Sequence, residues 1–323
     1  MKGGLKIIEE TKVESAERAP KKILVSTLLL LKPRIILSVA FTGIAGMVLA
    51  NKGFPSSYII IFGIVSLLLS AAGAAILNNI LDKQIDVLMK RLGRRVEALK
   101  IVGERTALFI ALLFIIVSLF ISFYFLNFAN GVLIVAALLS YTFLYTLYLK
   151  RSSPYGTIPG GLPGALPVLI GYSAVKPNLG IDGIILFLIM ILWQPPHFWA
   201  LAQKYKNDYQ NAGVPVMPVA LGTKYTNIFM LLYSLSLFPL SLSLWFLGYC
   251  SSLYAIVAII AGIYFEYVMI RSVLTNSSYG KAFGVSILYI LVLMASLIID
   301  VSLGSANTVL QCTEISRPLK TIP

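Results

Sequence analysis

The chain has 323 residues, of which 58% are hydrophobic and 12% are charged, and its mean hydropathy is +0.88. Soluble globular proteins carry about twice that charged fraction, so the composition excludes a disordered chain and an ordinary soluble enzyme and indicates a polytopic membrane protein. Cys250 and Cys312 are the only cysteines and His197 is the only histidine. The sequence therefore offers no disulfide framework and no site built from several imidazoles.

Apolar stretches long enough to cross the hydrocarbon core of a bilayer recur along the chain. The weakest contains Pro159, Pro163 and Pro167, and such a broken helix survives at membrane depth only where protein or a cavity satisfies its backbone. We expect an all-α protein, with nine transmembrane helices in one bundle and an active-site cavity facing the cytoplasm. The predicted spans are 35–51, 57–81, 106–126, 131–149, 157–175, 182–202, 226–248, 253–274 and 282–303.

The two ends of the chain lie outside these spans. Residues 1–24 are predicted to form a polar cytoplasmic tail, 25–304 the transmembrane bundle, and 305–323 a tail on the opposite side. The apolar run 23–31 is too short to span, and Lys32-Pro33-Arg34 interrupts it, so it is interpreted as an interfacial segment leading into the first span rather than a signal peptide.

The excess of basic residues is a signal of membrane orientation. The chain has 26 Lys and Arg against 13 Asp and Glu, a net charge of +13. Most of these cations lie in the segments that share a side with the N-terminus, whereas the other side holds Lys52, Lys176, Arg317 and Lys320. The positive-inside rule then predicts a cytoplasmic N-terminus and an external C-terminus in the cell membrane. No nucleic-acid partner is needed to explain the charge.

The first polar motif lies where the second predicted span ends. Asn78, Asp82 and Asp86 are spaced i, i+4 and i+8, which places them along one helical face. Carboxylates at the end of a membrane helix are costly and usually functional, and two carboxylates with an amide suit Mg²⁺. Cations that can clamp phosphate oxygens follow: Lys90, Arg91, Arg94 and Arg95. Alternatively, these acids are interfacial residues that form ion pairs with neighbouring cations.

A second motif closes the fourth predicted span. Tyr145 and Tyr148 precede Lys150 and Arg151, and a segment rich in Gly and Pro follows at 156–167. Glycines there allow the backbone to approach a ligand closely. A membrane-surface anchor followed by a tightly packed helix explains the same residues.

The third motif ends the sixth span with Trp193-Gln194-Pro195-Pro196-His197-Phe198-Trp199. Two consecutive prolines predict an interruption of the helical hydrogen bonds and a kinked wall at this depth. Polar residues follow on the same side of the membrane as the first motif: Lys204, Lys206, Asp208 and Tyr209. The lone histidine beside them is equally well explained as a packed structural group.

Taken in order, these motifs resemble one known family. The pattern Asn78-x₃-Asp82-x₃-Asp86-x₂-Met89-x-Arg91-x₃-Arg95, the strings YTLYLKR and GGLPGALP, and the stretch WQPPHFWALA with DYQNAGVPVMP resemble the UbiA superfamily of intramembrane prenyltransferases, particularly its haem-prenylating branch. The resemblance runs from Lys32 to Gly222. Leu92 and Val96 stand where that branch usually has Thr and often has Pro, and these departures leave the acids and arginines intact.

The resemblance implies Mg²⁺-dependent transfer of a farnesyl or longer prenyl group from its diphosphate to a vinyl group of protohaem IX. Water then adds to give haem O on the route to haem A, with a haem A synthase acting downstream. The implied metal ligands are Asp82, Asp86 and Asp208. The implied catalytic residues are Asp82, Asp86, Arg91, Arg95, Lys150 and Lys206. The implied substrate contacts are Asn78, Tyr145, Tyr148, Arg151, Trp193, His197, Lys204 and Tyr209.

Several alternatives stay open at this point. The enzyme alternative is a related prenyltransferase that acts on a quinone precursor or a lipid. The other class is a membrane transporter, which the broken spans and the intramembrane acids Glu266 and Asp300 favour. The role of His197 is left open between a contact to a haem propionate, a proton relay and a structural group, with the iron-ligand role disfavoured. Prenyl chain length, the number of metal ions and the oligomeric state are left open too.

Overall fold

The computed structural model describes the backbone of residues 20–315 and the side chains of residues 20–304. All regular structure within that part is helical, as predicted. The α-helices are α1 (20–31), α2 (Pro33–Asn51), α3 (Ser57–Leu81), α4 (Lys83–Asp86), α5 (Gly93–Val102), α6 (Glu104–Ile121), α7 (Phe128–Leu139), α8 (Lys150–Ser152), α9 (Leu162–Val175), α10 (Ile181–Lys204), α11 (Lys206–Asn211), α12 (Met217–Ala220), α13 (Gly222–Phe246), α14 (Ser252–Leu274) and α15 (Tyr279–Ile315).

Two π-helical segments and two 3₁₀ turns complete these elements. The π segments extend α6 over Ser122–Leu126 and join α7 to α8 over Ser140–Leu149. The 3₁₀ turns lie at Lys90–Leu92 and Pro159–Gly161. The predicted tail boundaries do not coincide with helix ends, because α1 covers residues 20–24 and α15 continues to Ile315. Residues 1–19 and 316–323 of the predicted tails lie outside the described part.

Eight helical segments among the described residues are long and apolar enough to cross a membrane. The chain is therefore a multi-pass membrane protein. The predicted span at 157–175 contains α9, which has 14 residues and follows a 3₁₀ turn, so the count of nine stays a prediction. Most of α9 is buried between α2, α7 and α10, which satisfies the condition for a short, proline-containing helix at this depth.

Small residues let α2 and α9 pack backbone against backbone. A Cβ atom added to Gly171 of α9 would lie 1.9 Å from the carbonyl oxygen of Gly43 in α2. One added to Gly46 would lie 2.1 Å from the carbonyl oxygen of Val168. Membrane helices lack a hydrophobic driving force between them and rely on such close approach.

The structure differs from the prediction at Pro195 and Pro196, because α10 continues as one helix from Ile181 to Lys204. Both prolines are buried, and α10 packs against α13, α15 and α9. Packing along the whole helix thus outweighs the two missing amide hydrogens.

The two intramembrane acids that the sequence left unexplained have separate partners. Asp300 of α15 accepts hydrogen bonds from the backbone N–H of Ser251 at 2.8 Å, from its hydroxyl, and from the N–H of Tyr254 at 3.3 Å. It thereby caps the first turn of α14. Glu266 accepts a hydrogen bond of 3.0 Å from Ser234 of α13. These acids hold helices together and do not pair with each other.

The glycine contact between α2 and α9 yields a prediction about stability. Gly171→Ala forces a methyl group into the backbone of α2, and overpacking of this kind costs about 1–3 kcal/mol. We expect a lower midpoint of thermal unfolding for the purified protein. Gly284→Ala in α15 is the matched control, since no atom lies within 4 Å of the added Cβ. Equal midpoints for both variants would contradict the assignment.

Candidate functional site

Asp82 forms the centre of a polar cluster at one end of the bundle. It follows the last residue of α3 and is fully buried. Its Oδ2 accepts a hydrogen bond of 2.6 Å from Nζ of Lys150 and one of 2.8 Å from the amide of Asn78. Because α4 begins at once after this residue, the N–H of Asp86 still bonds the carbonyl of Asp82 at 2.8 Å. The i, i+4, i+8 alignment expected from the sequence is therefore preserved.

The second oxygen of Asp82 is left without a hydrogen bond among the described residues, although it is buried. Nη2 of Arg151 lies 3.5 Å away, which is a charge contact rather than a hydrogen bond. That guanidinium instead donates to the carbonyl of Leu81 at 2.8 Å and to that of Thr146 at 3.3 Å. A buried carboxylate oxygen without a donor is costly and is available to a cation.

Asp86 lies one turn further on and faces a cavity of about 440 Å³. Arg95 of α5 shares the wall of this cavity, together with Asn79, Gln84 and Lys100. Burial raises the pKa of the Asp86 carboxyl, while the positive charge of Lys150 opposes the shift. Burial also lowers the pKa of Arg95, which Asp86 opposes. The two side chains thus influence each other's charge electrostatically across the wall of one cavity.

Lys32, which lies in the polar interruption just before the first predicted span, also belongs to this cluster. Its Nζ donates to Oδ1 of Asn78 at 2.5 Å, and the amide of Asn78 also reaches Thr146 at 3.1 Å. Burial, together with the nearby charges of Arg95 and Lys150, lowers the pKa of Lys32 to about 7. A cation between an apolar run and the Pro33 that starts α2 is the sequence signal that could have identified it.

Arg91 connects the first polar motif to Asp208 and Tyr209 of the third motif. Its Nε lies 3.8 Å from Oδ2 of Asp208, and its Nη2 donates to the hydroxyl of Tyr209 at 2.9 Å. The guanidinium also lies over the rings of Tyr205 and Tyr209, 4.9 and 5.1 Å from their centroids. Burial raises the pKa of the Tyr209 phenol, and Arg91 opposes the rise. The segments that follow α3 and α10, which the sequence places on one side of the membrane, therefore meet here.

A group of aromatic rings, Tyr141, Tyr145, Phe198 and Tyr209, packs together between the π segment Ser140–Leu149, α10 and α11. Tyr145 stacks on Tyr141 with 6.3 Å between ring centroids, and it meets Phe198 of α10 edge-on at 6.5 Å. Phe198 in turn lies 6.4 Å from Tyr209. Tyr145 also packs over Gly160, where an added Cβ would lie 2.3 Å from its ring.

Tyr148 is not part of this aromatic group and is 65% exposed. In an α-helix, a spacing of three residues would place it on the same face as Tyr145. The segment Ser140–Leu149 is π-helical, and hydrogen bonds spanning five residues give more residues per turn. Tyr148 is therefore rotated out of the cluster, a result that an α-helical reading of the sequence could not give.

His197 lies in a separate wall formed with α15. Its ring is stacked between Trp193 and Phe283, at 4.4 and 4.5 Å between centroids. Nδ1 lies 2.7 Å from Oγ of Ser286, whose hydroxyl proton is donated to the carbonyl of Phe283. Trp193 donates to the carbonyl of Ser286 at 2.8 Å.

The remaining predicted cations lie nearer the surface. Lys204 is exposed at the end of α10, with its Nζ 5.1 Å from the ring centroid of Tyr205. Lys206 is half-buried and begins α11, two residues before Asp208. Both lysines therefore lie within four residues of Asp208 in the third motif.

The oxygens at this end of the bundle suit a divalent cation such as Mg²⁺. Asp82 supplies a buried oxygen without a hydrogen bond, and Asp86 supplies a carboxylate beside a cavity. Within the described residues there is no preformed group of three or more acidic, histidine or cysteine ligands. Donors from water or a substrate would therefore complete such a site, as Mg²⁺ commonly requires.

Comparison with known proteins gives consistent results. The model of the UbiA prenyltransferase family matches residues 39–299. A protoheme IX farnesyltransferase of Geotalea uraniireducens (strain Rf4) is 44% identical over 79% of this chain and 98% of its own length. One of Aquifex aeolicus (strain VF5) is 38% identical over 90% of this chain and 98% of its own length.

Solved structures share the fold at low sequence identity. One concerning digeranylgeranylglyceryl phosphate synthase in membranes has a TM-score of 0.72 and 20% identity, covering 87% of this chain and 99% of that one. A UbiA homologue from Archaeoglobus fulgidus bound to DMAPP and Mg²⁺ has a TM-score of 0.62 and 14% identity. The match covers 84% of this chain and 99% of that one. With the family model matching most of its length, the chain belongs to the UbiA prenyltransferase family.

Proposed function

We propose that this chain transfers the prenyl group of farnesyl diphosphate to a vinyl group of protohaem IX, with addition of water to give haem O. The observation that carries this proposal is the buried Asp82 oxygen without a hydrogen bond, beside Asp86 and a group of cations. The acceptor is inferred from the similarity to protoheme IX farnesyltransferases over most of the chain.

The acids and cations would share the work of binding the diphosphate. Asp82 and Asp86, with Asp208 on the facing segment, would hold Mg²⁺, which supplies positive charge to the departing diphosphate. Arg91, Arg95 and Lys150 would contact the phosphate oxygens, because charge-assisted hydrogen bonds are the strongest available to them. Lys150 and Asp82 are now bonded to each other, so ligand binding would exchange that ion pair for contacts to metal and phosphate.

The aromatic group would protect and stabilise the reacting carbon. As the C–O bond breaks, its electron pair stays on the diphosphate and an allylic cation develops. The rings of Tyr145, Phe198 and Tyr209 present faces that attract such a charge and exclude water. The π electrons of the haem vinyl group then form the new C–C bond. Water adds to the resulting cation and loses a proton, which leaves a hydroxyl group.

The orientation of the protein is part of this proposal. The end of the bundle that holds Asp82 also carries most of the cations, whereas Lys52 and Lys176 lie at the other end. The positive-inside rule would place the site in the cytoplasm and the C-terminus outside the cell membrane. The product would then pass to a haem A synthase, which acts on haem O.

The first prediction identifies donor and acceptor together. Membranes containing this chain, incubated with Mg²⁺, farnesyl diphosphate and protohaem IX, should form a haem whose mass rises by one farnesyl group and one hydroxyl. Mass spectrometry of the extracted haems measures this product. Parallel incubations offer a hydroxybenzoate or a naphthoate in place of haem. Prenylation of one of those aromatics, with haem unchanged, would assign the chain to a quinone pathway instead.

The second prediction tests the acids. Asp82→Asn combined with Asp86→Asn should lower the rate of prenyl transfer at least about a hundredfold, because the charge that offsets the metal and orients the diphosphate is removed. Asp182→Asn is the control, since this residue lies at the opposite end and accepts a hydrogen bond from Tyr172 that an amide oxygen can also accept. Near-normal turnover in an inserted double variant would refute the metal-binding role.

The third prediction concerns Lys32. The pKa of its buried ammonium is about 7 in the folded protein and 10.5 when unperturbed, so below pH 7 the folded state bears the full cost of burying the charge. Stability from this group rises with pH between those values, since the unfolded chain then holds more protons. Lys32→Met should therefore raise the unfolding midpoint of the ligand-free protein more at pH 6.5 than at pH 9.

The same substitution should weaken substrate binding. A diphosphate favours the charged form of Lys32, and loss of one charge-assisted hydrogen bond costs roughly tenfold in affinity. Calorimetry with farnesyl diphosphate at pH 6.5 measures this change. Lys281→Met, an exposed lysine at the same end, should leave both midpoint and affinity unaltered. A variant that is neither more stable nor weaker in binding would show that Lys32 serves only as an anchor.

A further inference from the structure

A second cavity lies between the interfacial helix α1 and helix α5. Its volume is about 390 Å³. Polar and apolar residues divide its lining, with Lys21, Lys22 and Arg94 on one part and Val25, Leu29, Ala98 and Ile101 on another. None of the residues bound to Asp82 lines it, so it is distinct from the site described above.

The charged part of the cavity is suited to an anion. Three cations face one acid, Glu97. Ser26 also lines the cavity and is only 4% exposed. A phosphate group would accept a hydrogen bond from its hydroxyl and charge-assisted hydrogen bonds from the lysines and the arginine.

The apolar part continues along α1 into the region that contacts lipid. Ile23, Leu24, Val25, Leu28 and Leu29 are between 42% and 61% exposed. A short helix with basic residues at its start and exposed aliphatic side chains along it is typical of segments that lie in the membrane interface. A ligand here would therefore meet cations at one end and an acyl-chain environment at the other.

We infer that this cavity binds the headgroup of an anionic phospholipid. The phosphate lies against Lys21, Lys22, Arg94 and Ser26, and the acyl chains run along the exposed side of α1. The inference does not depend on the proposed reaction. It has a consequence for the site, because Arg94 adjoins Arg95 of the same helix. A lipid that fastens α5 to α1 holds Arg95 in place beside Asp86.

Native mass spectrometry of the full chain in a neutral detergent tests the inference. Phosphatidylglycerol should bind at least tenfold more tightly than phosphatidylcholine with the same acyl chains. Each basic residue near an anionic lipid surface contributes roughly fivefold, so Lys22→Gln combined with Arg94→Gln should lower the affinity for phosphatidylglycerol by roughly 20-fold. Lys52→Gln combined with Lys176→Gln removes the same charge at the opposite end and should change it less than twofold.

Smaller changes keep the test decisive if the double variant does not fold. Ser26→Ala should weaken phosphatidylglycerol by about fivefold, the value of one hydrogen bond, and leave phosphatidylcholine unaffected. The comparison of headgroups on the unaltered chain needs no substitution. Lack of headgroup preference, or an equal loss in the Lys52 and Lys176 control, would overturn the inference.

Two other occupants are outcomes of the same experiment. Glycerol phosphate without acyl chains should bind at least a hundredfold more weakly than the lipid, and equal affinity would show a site for a soluble phosphate. The chain's own acidic residues Glu9, Glu10, Glu14 and Glu17 precede α1. Changing them to Gln should leave lipid affinity unaltered, whereas a gain of tenfold or more would make that segment the occupant.

Discussion

The structure of this site depends on one buried carboxylate, that of Asp82. Removing a carboxylate from water is expensive unless it is paired and hydrogen-bonded. The chain meets this cost by bringing Lys150 and Asn78 to one oxygen. The end of α3, the end of the π segment Ser140–Leu149 and the start of α2 must therefore lie at the same level of the bundle. The second oxygen lacks a hydrogen bond, so the compensation is incomplete in a way that a metal ion and an anionic substrate would complete.

Other acids in the protein show what full compensation looks like. Asp300 receives three hydrogen bonds at the start of α14, and Asp182 receives one from Tyr172. These residues join helices at the end of the bundle away from Asp82. By contrast, burial raises the pKa of Asp86 and lowers that of Lys32, so burial disfavours the charged form of both side chains.

Helix geometry decides which aromatic residues join the site. The π segment at Ser140–Leu149 directs Tyr145 toward Phe198, with Tyr141 stacked on Tyr145, and turns Tyr148 outward. Such segments are often found at functional sites. Tyr145 packs against Gly160, which lies in the 3₁₀ turn just before α9. Close packing of α2 on α9 through Gly43 and Gly171 fixes the position of α9 and so supports this contact.

The sequence by itself determined the class, the helical architecture and the acidic motifs, because hydropathy over twenty residues and i, i+4 spacing are local properties. The alternation of the predicted spans also predicts that Arg91, Asp208 and Tyr209 lie on one side of the membrane. The tertiary structure alone decided that Lys32 binds Asn78, that Tyr148 lies outside, that α10 continues through Pro195 and Pro196, and that Asp300 caps α14. Each of these outcomes depends on contacts between residues far apart in the chain, or on a π-helical geometry that the residue pattern does not predict. Only tertiary packing determines such features.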